Sequence, residues 1–254
     1  MTTLQILLVV VLLFAGMISF LELGLWLGRR SPKGTETGFS ALSGAVFALM
    51  GLLLAFTFSG AGARYDAKRQ LIVDETNDIG TAYLRIDLLS PARQGPLRES
   101  FRQYLDTRIA YYRNLGDPNA ARAEMARTEA LQRDIWSQAV IACRELGSNT
   151  TNTLVLSSLN TMIDITTTRA VAAKMHPPGV VLVLLAVLPL ICSLLAGYEA
   201  GDRSRSLLHI LGFALILAIT VYIILDYEYP RSGLFVHMDA TDQILVDLRQ
   251  SMNP

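Results

Sequence analysis

Three carboxylates, Asp74, Glu75 and Asp78, fall within one turn of a helix. Such a patch can hold a cation or move a proton, but the favoured reading is a solvated helix face. Four further charges stand where apolar runs meet water: Glu22 late in the first run, and Asp226, Glu228 and Arg231 at the close of the last. An ionisable residue in a membrane span is a functional candidate by default, because lipid penalises it by several kcal/mol. The competing readings are that Glu22 pairs with Arg29 or Arg30, and that Asp226 to Arg231 form an interfacial clamp fixing the last helix against the soluble domain. His176, His209 and His237 lack ligand spacing, and Cys143 and Cys192 lie in different regions, so neither a metal site nor a disulfide is expected. The chain has no phosphate-cradling Gly loop, nucleophile elbow, HExxH or paired-Cys motif. No catalytic residues and no cofactor are expected, and an enzyme is the least supported class.

These residues need elements to carry them, and composition says which. Of 254 residues, 52% are hydrophobic and 17% charged, whereas soluble domains carry about 25% charged residues. The charges crowd between Arg64 and Lys174, with long apolar runs on either side. The formal net charge is zero, which removes the basic face that nucleic-acid binding requires. The fold class that follows is an all-α membrane protein, with two transmembrane hairpins flanking a soluble helical bundle.

The expected spans are 4–27, 39–60, 180–197 and 207–225, each near the roughly 20 residues needed to cross a bilayer. The hairpins occupy 1–60 and 177–226, the soluble domain 61–176 and a C-terminal tail 227–254. The first run is too long for a cleaved signal core, and its basic pair Arg29-Arg30 follows it, so it is expected to remain as an anchor. The loop Ser31-Pro32-Lys33-Gly34-Thr35-Glu36 joins the first pair, and His176-Pro177-Pro178-Gly179 stops the helix before the third span. Pro189 should kink that span, and Tyr227 and Tyr229 suit the aromatic belt. Four crossings put the N-terminus, the soluble domain and the tail on one side. Arg29, Arg30, Lys33, Arg203 and Arg205 in the short loops make those loops cytoplasmic by the positive-inside rule, and the domain extracytoplasmic.

The second span is the most informative. Ala41, Gly44, Ala48, Gly51, Ala55, Ser59 and Gly62 recur at spacings of three and four, one stripe of a helix on which every side chain is small. In lipid, small faces let backbones approach. The stripe either packs against another span of the same subunit or meets copies of itself around an axis. Phe47, Leu54 and Phe58 lie beside it, where they can form an apolar constriction or simply pack. No Pro interrupts 39–89, and Ile72, Ile79, Tyr83 and Ile86 continue the pattern, so one long helix should leave the membrane, with Gly60 to Ala63 its weakest point. Helices are then expected over 96–115, from Asp117-Pro118 to Leu146, and over 154–175. Their inward faces carry Leu97, Phe101, Tyr104 and Leu105; Leu131, Ile135, Ala139 and Ala142; and Leu159, Met162 and Thr166. Four amphipathic helices make a bundle.

Several stretches resemble a bacterial membrane family described as bestrophin-like: Leu52-Leu53-Leu54-Ala55-Phe56-Thr57-Phe58-Ser59-Gly60, Arg69-Gln70-Leu71-Ile72-Val73-Asp74-Glu75, Ile79-Gly80-Thr81-Ala82-Tyr83-Leu84-Arg85, and the closing Asp226-Tyr227-Glu228-Tyr229-Pro230-Arg231-Ser232-Gly233 and Asp247-Leu248-Arg249-Gln250-Ser251-Met252. Bestrophins are pentameric anion channels with four spans, a helical domain between spans two and three, and a pore lined by the second span with an apolar neck. The resemblance implies a homo-oligomeric channel in the bacterial inner membrane, with anions as the conducted ions by analogy. It gives Gly44, Phe47, Ala48, Gly51, Leu54, Ala55, Phe58, Ser59 and Gly62 a pore-lining reading, and it places the soluble domain in the cytoplasm, against the short-loop charges. The expected partners are the lipid bilayer, further copies of the chain and ions. Two alternatives stay open: a non-conducting scaffold or sensor whose helical domain binds a partner, and a proton-coupled transporter using Glu22 or Asp226.

Overall fold

The computed structural model describes residues 1–30, 36–200 and 207–252. The described residues form helices α1 (Thr3–Arg30), α2 (Glu36–Arg85), α3 (Pro91–Arg113), α4 (Pro118–Leu146), α5 (Asn149–Lys174), α6 (Gly179–Ala200), α7 (Leu207–Glu228) and α8 (Asp239–Ser251), with a 3-10 turn at Ile86–Leu88 and no strand. Four helices are long and apolar enough to cross a membrane. The Ser31 to Thr35 connection, and Arg203 and Arg205 in the second short loop, lie outside the described residues.

The chain divides into two compact units, Met1–Asp66 with His176–His237, and Ala67–Met175 with Met238–Pro254. α2 contributes to both and is helical throughout, Gly60 to Ala63 included.

In the first unit, α1 is packed along α6 and also against α7. The close approach is made by glycines: a Cβ at Gly24 would strike the Leu194 carbonyl, one at Gly197 the Leu21 carbonyl, and one at Gly28 the carbonyl of Tyr198. Absent side chains let the two backbones touch, the main source of helix association in lipid. Beside this seam Leu21 and Leu25 pack with Ala200, and a separate core of the unit holds Ile6, Leu13 and Met17, Met50 and Ala61, Leu185 and Cys192, and Ala214, Val221 and Ile224. Pro189 stays inside α6, and the Ser193 hydroxyl donates to its carbonyl at 2.8 Å.

The second unit is a helical bundle with Ile72, Ile79, Leu97, Phe101, Tyr104, Ile135, Leu159 and Met162 in its interior. Caps set its helix ends. Asp117 accepts from the Asn119 and Ala120 backbone N–H groups to open α4, and Gly147 ends it at φ 68°, where a residue without Cβ is unstrained. α5 begins at Asn149 rather than 154, because Ser148 serves as its N-cap and accepts from the Thr151 N–H. α3 begins at Pro91 rather than Pro96: Pro91 occupies the first turn, where its missing N–H costs nothing, and Pro96 lies within the helix. The tail forms the further helix α8, which buries Leu245 and pairs Arg249 with Asp106 of α3 at 2.9 Å.

Candidate functional site

The small-residue stripe of α2 faces outward from its own chain. Gly44, Ala48, Gly51, Ala55 and Ser59 are exposed and Gly62 is half-buried. A Cβ added at Gly44, Gly51 or Gly62 would meet nothing within 4 Å. The face that α2 buries is a different one, Ser43, Met50, Thr57 and Ala61. Gly24, Gly28 and Gly197 are pressed against backbone, whereas Gly44, Gly51 and Gly62 look into open space.

Phe47, Leu54 and Phe58 lie between these two faces. Phe47 and Leu54 are half-buried against the core of the first unit, and the Phe47 ring meets Phe213 edge-on at 6.1 Å. Phe58 is 45% exposed and sets its ring edge-on to Tyr227 at 5.7 Å. Two of the three thus have packing roles inside their own chain, and Phe58 has both a partner and a free flank.

The charges at the ends of the spans are not one group. Glu22 is exposed and has no hydrogen bond or ion pair among the described residues, and the Arg30 guanidinium stacks over Trp26 at 3.8 Å instead of reaching it. Asp226, 1% exposed, sits in a cradle: it accepts from the backbone N–H groups of Leu234 at 2.8 Å, Phe235 at 3.1 Å and Val236 at 2.8 Å, and from the Tyr222 hydroxyl at 3.1 Å. Gly233 is required there, because a Cβ would collide with the Asp226 carboxylate. Asp226 therefore folds the segment after α7 back onto its own helix. Glu228, also 1% exposed, ties elements together: Arg64 of α2 donates to it through Nε at 2.8 Å and through Nη2, and the His176 ring lies 3.6 Å away and stacks on Tyr229 at 4.6 Å. Arg231 is exposed on the loop beyond. Asp226 and Glu228 are separate fastenings, and their partners Leu234 to Val236, Arg64 and His176 all belong to the first unit.

Glu75 corrects the solvated-face expectation for the Asp74, Glu75 and Asp78 patch. It is fully buried, and Arg108 of α3 donates to it from Nε at 2.5 Å, Arg169 of α5 from Nη1, and the Tyr112 hydroxyl at 3.0 Å. Arg169 also stacks over the Tyr112 ring at 4.0 Å. Burial alone would raise the Glu75 carboxyl, but the charges and hydrogen bonds of Arg108 and Arg169 outweigh it and hold it below the ordinary glutamate value. The same surroundings push the Tyr112 phenol well up, through burial first and the Glu75 charge second. Asp78 is raised by burial and by the charges of Asp74 and Glu75. This is an interior ion-pair network that cross-links α2, α3 and α5. Sequence reading missed it because Arg108 and Arg169 stand far from Glu75 in the chain. The one legible signal was a charge on an inward helical position, Arg108 beside Leu105 and Ile109. Among the described residues, no three His, Cys, Asp or Glu side chains converge as a metal site.

Comparison with protein families gives a match to the Bestrophin-like domain over residues 9–236. Comparison with curated protein sequences gives no match. Among solved structures, the fold is similar to crystal structures of a bacterial bestrophin homolog from Klebsiella pneumoniae. Two single-substitution variants of that protein align with a TM-score of 0.66 at 16% and 15% identity, covering 97% of this chain and 99% of the other. A third aligns at 0.59 with 18% identity over 96% of this chain and 99% of the other.

Proposed function

We propose, from the premise that this chain belongs to the bestrophin-like family and is a multi-pass integral membrane protein, that it is a homo-oligomeric ion channel with α2 of each copy lining the conduit. The observation that carries this reading is the outward stripe of Gly44, Ala48, Gly51, Ala55 and Ser59, which its own subunit leaves uncovered. Small side chains lining an axis leave room for an ion, and the exposed flank of Phe58 supplies an apolar narrowing where dewetting can gate. The bestrophin likeness favours anions. It also favours a cytoplasmic position for the helical unit and two hairpins flanking it, with the charges of the short loops arguing for the opposite sidedness.

The transporter alternative loses one of its two residues, because both Asp226 carboxylate oxygens are engaged by backbone N–H groups. The test is purified protein in liposomes. Voltage-driven chloride flux that changes with the volume of residue 51 supports the reading; no flux across voltage, pH and calcium, with the oligomer intact, rejects it. Impermeant-thiol labelling of a cysteine placed in the short loop after α1 decides the sidedness.

A further inference from the structure

Between α1 and α7, on the membrane-spanning unit, runs an apolar groove of about 360 Å³, within the roughly 300–1,000 Å³ of small-ligand sites. Leu7, Val10 and Phe14 form one wall, Leu215 and Ala218 the other, and Tyr222 closes one end beside Leu234 and Phe235. From Leu7 to Phe14 is seven residues, so the groove is about 10 Å long at 1.5 Å per residue.

Two observations set this groove apart from an ordinary lipid-facing surface. Leu234 and Phe235 are 52% and 77% exposed. Large apolar side chains so open to their surroundings have little packing of their own to hold them, yet their positions are fixed through the backbone. The N–H groups of Leu234, Phe235 and Val236 all bond to the buried Asp226, and the Ser232 carbonyl accepts from the Thr3 hydroxyl at the start of α1 at 2.6 Å. The loop is fastened to both helices that wall the groove. The Tyr222 hydroxyl, for its part, is consumed, donating to Asp226 and accepting from the Leu234 N–H at 3.1 Å. What Tyr222 offers the groove is its ring, set edge-on to Phe235 at 5.9 Å.

We propose that this groove is a binding site for one acyl chain of a membrane phospholipid, covered at its end by the Asp226-stapled Leu234–Phe235 loop. Both walls belong to helices that span the membrane, so the groove opens where acyl chains are the surrounding solvent. A second copy of this chain is disfavoured as occupant by position. α7 meets α2 through Phe213 and Tyr227, and helical periodicity puts Leu215, Ala218 and Tyr222 on the opposite side of α7. In a ring with the α2 stripe at its axis the groove therefore faces outward, toward lipid. That choice of occupant rests on the proposed α2 interface; the groove and its loop do not.

The test uses the full-length protein in detergent micelles, titrated with phosphatidylcholine brominated on its acyl chains, a contact quencher of tryptophan. Val11→Trp reports from the groove rim, where Val11 is 61% exposed, and Val183→Trp, at a 60% exposed position of α6, reports from outside it. The unsubstituted protein supplies the background of Trp26 and Trp136. The expected result is saturable quenching at position 11, complete at about one lipid per chain, with only a gradual, unsaturated decline at position 183. Phe235→Ala should weaken the saturable phase several-fold while oligomer size and melting temperature stay unchanged. Equal, unsaturated quenching at both positions overturns the site, Phe235→Ala binding as tightly as the parent overturns the loop's part in it, and disulfide cross-linking of Val11→Cys between copies in vesicles shows a second copy there instead. None of these readouts depends on ion flux, so the site and the channel reading fail separately.

Discussion

Arg108 Nε donates to Glu75 Oε1 at 2.5 Å with the two side chains 1% and 0% exposed, and Arg169 approaches the other carboxylate oxygen of the same residue. Two arginines thus share one buried carboxylate. Removing the shared partner is worse than removing either arginine, because it strands two buried cations. Glu75→Ala should cost about 3–5 kcal/mol, with Arg169→Ala less damaging because Arg169 is 8% exposed. Chemical denaturation of the detergent-solubilised protein, followed by helix content, checks the order.

The same network sets a pH window. The Glu75 carboxyl is held below its ordinary value of 4.5, so its contribution is complete above about pH 4.5 and is lost as the pH falls through the depressed folded value. On the alkaline side, burial raises both Tyr104 and Tyr112 above the ordinary 10.0. Their share is complete below about pH 10 and is lost as the pH rises through the raised folded values. Melting temperature against pH should fall at both ends, and Tyr112→Phe should flatten the alkaline limb.

Gly197→Val should prevent the first unit from assembling. The added Cβ meets the Leu21 carbonyl, and backbone cannot step aside as a flexible side chain can. The cost should exceed the roughly 1–3 kcal/mol of ordinary overpacking. Loss of a monodisperse peak in size-exclusion chromatography is the readout.

Gly51→Val tests the opposite case, since a Cβ there has open space within its own chain. The chain should fold with an unchanged melting temperature, while liposome flux falls at least tenfold. An unchanged flux would move the conduit away from this face of α2.

Asp226→Asn should fall between the parent and Asp226→Ala. The asparagine oxygen still accepts from one pair of donors, but its amide nitrogen points donors at backbone N–H groups that are themselves donors, so the rescue is partial. Each stranded N–H costs about 1 kcal/mol in a partly wet setting. Faster backbone hydrogen exchange at Leu234 to Val236, with exchange in α6 unchanged, is the expected pattern.

Length and apolarity made the four spans and the long α2 legible, because crossing a bilayer demands about 20 apolar residues whatever the packing. The Asp117 and Gly147 caps were legible for the same reason, being local chemistry. The starts of α5 at Asn149 and of α3 at Pro91 were placed five residues too late, because the polar run before Leu154 reads as loop and Pro96 offered a second proline start. α8 lies within 227–254, which was read only as a tail, although Leu245 and Leu248 sit at helical spacing there. The largest miss concerned glycine. Small residues in the second span attracted attention, while Gly24 and Gly28, at the four-residue spacing of helix contacts, were passed over although they make the backbone seam with α6. Sequence gives the spacing of small residues but not which stripe finds its partner in the same chain. Glu75 was beyond reach on similar grounds, since its two arginines come from other helices.

The seam between α1 and α6 is reciprocal: Gly24 receives the Leu194 carbonyl and Gly197 receives that of Leu21. Such a pair has one permitted register. Sliding either helix by a residue would set a side chain where a carbonyl now sits, at both points together. α1 and α6 are therefore locked to one another, and in the proposed channel any rearrangement of the spans falls to the helices that meet through deformable side chains, Phe47 on Phe213 and Phe58 on Tyr227.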